Sequence, residues 1–77
     1  MQLYKAVEHA AEHGFSLCIE YDSNEDLARV IVSKKVGVSL YQVDAYMHGR
    51  QTFDPDQGDL LFWNVKNLVA ELKRRGF

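Results

Sequence analysis

The strongest pattern in this chain is its last one. From roughly Asp59 to Arg75, Leu61, Val65, Leu68, Val69 and Leu72 recur at helical spacing. Lys66, Lys73, Arg74 and Arg75 crowd the later turns, where the helix dipole favours cations, and Gly76 supplies a stop. Asp56 or Asp59 is a good N-cap for its start. Such a helix has one apolar stripe to bury, and the rest of the chain must cover it.

Upstream, two kinds of pattern compete. Residues 2–13 read as a second helix, with Leu3, Ala6, Val7, Ala10 and Ala11 on one side and Gly14 as its stop. Residues 15–22 read as a strand, with Phe15, Leu17, Ile19 and Tyr21 alternating with Ser16, Cys18, Glu20 and Asp22. Asp22 to Asp26 is turn-like. The run Val30-Ile31-Val32 at 27–35 favours a strand, because β-branched side chains fit a pleated surface. Residues 38–47 then form a third strand, and His48-Gly49 a turn. The preferred fold is α+β, a two-layer sandwich of helix, three-stranded antiparallel meander and helix, in a single domain over residues 1–77.

The alternative is a mostly helical chain with a helix-turn-helix at about 24–49. Ser23 and Asp26 could cap its first helix. Val32, Ser33, Val36, Gly37, Val38, Val43 and Tyr46 fall in its register, and the segment Gly37 to Arg50 resembles the turn and recognition helix of phage-repressor-type regulators. That resemblance implies DNA binding through Gln42, Tyr41, Lys34, Lys35 and Arg50. The exposed set would carry one good base-edge reader, Gln42, and an Asp44 that repels phosphate.

Charge and length narrow the function classes. Seventy-seven residues with a net charge of −2 lack the basic excess of a phosphate-coating protein. Cys18 is the one cysteine, so no intrachain disulfide can form, which fits a reducing compartment. The charged N-terminal residues do not make a signal peptide, and no run reaches the ~20 apolar residues of a membrane span. The expected location is the cytoplasm.

Reactive constellations are weak. His9 and His13 stand four apart, as two ligands on one helix face would, but no cysteine pair or Glu completes a zinc pattern. The run Asp54-Pro-Asp56-Gln-Gly58-Asp59 resembles the start of a calcium loop, yet the twelfth position holds Val65 instead of a bidentate Glu. Cys18 lies mid-strand, with no glycine turn and no helix N-terminus beside it to activate it as a nucleophile. The pairs Glu8/Glu12 and Glu20/Asp22 lie on solvent-side positions, without an apolar pocket to separate their pKa values. No enzyme, metal or cofactor is expected.

Misplaced apolar surface is the sharper signal. Trp63 and Leu60 lie off the final helix's stripe, and Cys18, Ile31, Leu40 and Tyr46 fall on the outward face of the expected sheet. Apolar residues rimmed by charge mark a partner surface or a dimer interface. The expectation is a non-enzymatic protein-binding domain, an adaptor or inhibitor acting by occlusion. In size and acidity it resembles the small α+β inhibitors that phages encode against host enzymes. The expected partner is another protein or a second copy, with Trp63, Leu60, Tyr46, Leu40 and Ile31 as anchors and Glu20, Asp22 and Asp44 steering.

Overall fold

The computed structural model describes residues 2–53 and 60–77. In chain order they form α1 (Gln2–Glu12), β1 (Ser16–Asp22), β2 (Leu27–Val36), β3 (Ser39–His48), α2 (Gly49–Phe53) and α3 (Leu60–Arg74). The strands make one antiparallel sheet in the order β1-β2-β3. The α+β architecture is therefore the expected one. The Asp56 and Asp59 caps and the calcium-like loop lie outside the described residues.

The helix-turn-helix alternative is overturned. Residues 27–48 form two long strands with continuous pairing, from Leu27 opposite His48 to Val36 opposite Ser39. Side-chain alternation explains why. Ala28, Val30 and Val32 are fully buried on one face of β2, a period of two that no helix can present to a core. The turn agrees, since Gly37 takes φ 63° and Val38 does not, the type II′ pattern of a two-residue hairpin. Asp26 turns the β1–β2 connection at φ 50°, in the left-handed region that Asp tolerates better than most residues.

Both longer helices cover the same face of the sheet. α3 buries Leu61, Val65, Leu68, Val69 and Leu72, the full predicted stripe. These meet Ala28, Val30, Val32 and Met47 from the sheet and Phe15 from the α1–β1 connection. The stripe of α1 is narrower than expected. Ala6 and Ala10 are fully buried and Leu3 packs beside them, but Val7 is 47% exposed and Ala11 is also on the surface. Two alanines one turn apart let the α1 backbone lie close to its neighbours, which rotates Val7 and Ala11 outward. Tyr21, expected on the inner face, is half exposed where β1 ends.

α2 departs from the expected pattern. His48-Gly49 opens a five-residue helix instead of a plain turn. Thr52 is buried within it, and its hydroxyl donates to the His48 carbonyl at 3.1 Å. No described helix is long and apolar enough to cross a membrane.

A candidate protein-interaction surface

The outer face of the sheet is lined by rows of cross-strand neighbours. One row is Glu20, Arg29 and Tyr46, and the next is Cys18, Ile31 and Asp44. Arg29 Nε donates to Asp44 Oδ2 at 2.6 Å, and its Nη1 reaches Glu20 Oε2 at 3.4 Å. Two of the three expected steering acids are thus engaged by one guanidinium. The third, Asp22, accepts the Asn24 N–H at 2.9 Å and shapes the β1–β2 turn. Ile31 is corrected as an anchor. It lies on the outer face but is only 6% exposed, so it supports that face and offers little contact area.

The other anchors divide. Trp63, Leu60 and Tyr46 come together with Leu27, Met47, His48 and Asn64 around one groove of about 390 Å³. The groove lies where the end of β3 meets the first turn of α3. Asn64 fixes its wall, with Nδ2 donating to the Leu60 carbonyl at 3.0 Å and resting 3.8 Å from Met47 Sδ. Tyr46 and Trp63 are each 61% exposed, so two large aromatics flank an apolar floor. Leu60 is half-buried against the core. A neighbouring concavity of about 330 Å³ shares Leu27 and Tyr46 and adds Glu20, Tyr21, Asp22 and Arg29. Leu40 is as exposed as Tyr46 but stands at the opposite end of β3.

The residues expected to touch DNA do not share a surface. Gln42 projects from the outer face, and Tyr41 from the inner face, where it stacks on Phe77 at 4.4 Å between centroids. Lys34 lies over the Phe15 ring at 5.4 Å, and Lys35 pairs across the hairpin with Leu40. Arg50 belongs to α2, where its Nε is 3.3 Å from Asp26 Oδ2. No recognition helix carries them.

His9 and His13 stand together, their ring centroids 4.4 Å apart, but Cys18 lies away from them. His13 Nδ1 is 2.8 Å from the His9 carbonyl, and the His9 ring meets Phe62 edge-on at 5.5 Å. Burial, together with the nearby His13 and Lys66, lowers the His9 pKa below its ordinary 6.5. Cys18 is exposed on the outer sheet face, whereas α1 packs on the inner one. Among the described residues no three His, Cys, Asp or Glu side chains cluster as metal ligands would.

β3 is a sheet edge of ten residues without Pro or Lys and with a single charge, Asp44. Edge strands are commonly blunted by such residues. β1, the opposite edge, is seven residues long and carries Glu20 and Asp22. Set against known protein families, curated proteins and solved structures, the chain finds no match.

Proposed function

We propose that this chain is a non-enzymatic protein-binding domain, an adaptor or small inhibitor that works in a reducing compartment such as the cytoplasm. Its contact surface is the groove between Tyr46 and Trp63 together with the adjoining edge of β3. The observation that carries this reading is the pair of largely exposed aromatics over an apolar floor of Leu27, Met47 and Leu60. Tyr and Trp at the centre of a concavity are the residues on which binding energy concentrates, because they bury much area while losing few rotamers. An open edge strand beside them adds main-chain hydrogen bonding to a partner. Asp22 and Glu20 in the neighbouring concavity favour a partner with basic residues near its docking segment.

The mechanism is occlusion. A partner seated over Tyr46 and Trp63 has that part of its own surface covered by the β3 end of the sheet. Separation of Cys18 from His9 and His13 supports binding in place of nucleophilic chemistry.

The test is capture of partners from an extract of the source organism on the immobilised chain. A specific protein should be retained by the wild type and lost with Trp63→Ala and with Tyr46→Ala. Both variants should keep the wild-type circular dichroism spectrum. If both retain that protein unchanged, the groove is not the contact surface.

A further inference from the structure

We propose that the edge of β3 pairs with β3 of a second copy, antiparallel and centred on Val43, to make a two-fold dimer with a six-stranded sheet. This rests on the reading of the β3 edge and groove as a protein-binding surface, and it names the occupant. The hydrogen-bond pattern of the hairpin sets the geometry. The two-residue turn at Gly37-Val38 closes Val36 and Ser39 as a hydrogen-bonded pair, so the odd-numbered residues of β3 bond back to β2. Leu40, Gln42, Asp44, Tyr46 and His48 therefore aim their N–H and C=O groups at the open edge. Among the described residues no strand pairs there.

The register follows from which side chains meet. Centring on Val43 sets Gln42 opposite Asp44 of the second copy and Leu40 opposite its Tyr46, each twice by symmetry. Centring on Asp44 sets two carboxylates face to face. Centring on Gln42 sets Leu40 against Asp44. Of these three, the Val43 register alone sets Leu40 against Tyr46 and Gln42 against Asp44 on the outer face. It also brings Val38, fully exposed at the hairpin tip, opposite His48 at the groove. The most exposed apolar side chain then enters the concavity built from Tyr46, Leu60 and Trp63.

Charge at the two ends agrees. Lys34 and Lys35 lie at the hairpin tip, with Lys73 nearby over the Phe15 ring that Lys34 also covers. Asp22, Glu25 and Asp26 lie at the opposite end, around the β1–β2 turn. Antiparallel pairing sets the basic end of each copy beside the acidic end of the other. On the inner face α3 packs across β2 and β3, so pairing at the β3 edge brings the α3 helices of the two copies side by side.

Light scattering and sedimentation of the full chain across a concentration series test the pairing. A dimer is expected that dissociates on dilution and more readily in high salt. Gln42→Glu, on an exposed side chain, sets a carboxylate against Asp44 of the second copy and should weaken the dimer by about tenfold or more without changing the circular dichroism spectrum. In a Cys18→Ser background, Val43→Cys should form a disulfide-linked dimer on mild oxidation, because residues facing across the axis in a non-hydrogen-bonded pair stand about 4.5 Å apart. Gln42→Cys should not, because its symmetry mate lies on a diagonal beyond the ~7 Å limit for bridging. A chain that stays monomeric at its highest soluble concentration overturns the proposal. So does a dimer that tolerates Gln42→Glu, or one that is linked by the Gln42→Cys substitution and not by Val43→Cys. Monomers that still capture a different protein through Trp63 overturn the dimer alone and leave the binding function standing. A dimer linked by Val43→Cys, with Trp63→Ala and Tyr46→Ala neutral in every binding assay, supports the pairing and removes the groove from the function.

Discussion

A Cβ placed on Gly49 would overlap the Tyr21 ring and lie 2.7 Å from Asp26 Oδ1. Around that point the Tyr21 hydroxyl donates to Asp26 at 3.1 Å, and the Gly49 N–H donates to the Asp26 carbonyl at 2.8 Å. The carboxylate that accepts the phenol's hydrogen bond holds the Tyr21 pKa above its ordinary value. This corner ties the β1–β2 turn to α2. Gly49→Ala must push the ring aside and break its hydrogen bond, with an expected loss of about 1–2 kcal/mol in thermal or denaturant unfolding. A normal melting temperature for that variant would contradict the account. His9 makes a second prediction. Its folded pKa is depressed, so the unfolded chain binds its proton more readily. Its contribution is complete above about pH 6.5 and is lost as pH falls through the folded value. The melting temperature should therefore drop between neutral and mildly acidic pH, and His9→Gln should flatten that drop. An NMR titration midpoint for His9 at or above 6.5 would refute this.

At the scale of elements, the two long side-chain periods were readable and the short or crowded features were not. The stripe of α3 and the alternation of β1 follow from backbone geometry alone, so Leu61, Val65 and Ile19 could be placed from the sequence. Val7 and Ala11 could not, because the direction α1 faces depends on how closely its alanines let it approach. α2 escaped notice because five residues carry no period. Ile31 shows the remaining limit: it has the outward parity expected of it, but parity does not say whether cross-strand neighbours cover a side chain. Two substitutions on α3 separate core from surface. Leu61→Ala removes a fully buried side chain and should cost about 2–5 kcal/mol. That is a large share of the about 4–12 kcal/mol expected for a domain of this length. Trp63→Ala, two positions on, should change stability by less than about 0.5 kcal/mol, as exposed positions generally do. A strongly destabilised Trp63→Ala protein would show that Trp63 is a core residue and not a contact residue.

The whole molecule divides into a covered side and an open side. Both long helices lie on one face of the sheet, while the other face, among the described residues, carries the Arg29 pairs with Glu20 and Asp44. Exposed pairs of that kind add little to stability, so the open face owes its order to the strands beneath it. Of the expected contact residues, Trp63, Leu60 and Tyr46 converge at one groove, with Glu20 and Asp22 in the next. That convergence was not readable from the sequence, because Tyr46 and Trp63 are 17 positions apart and meet only through the packing of α3 on β3. Trp63 is the single tryptophan of the chain, so its emission reports on the groove without a label. The most direct test of the central claim is Trp63 fluorescence and acrylamide quenching, free and with a binding partner or at high self-concentration. Water-like emission and easy quenching are expected for the free, dilute chain, then a shift to shorter wavelength and protection on association. Association that leaves both the emission and the quenching unchanged would contradict it.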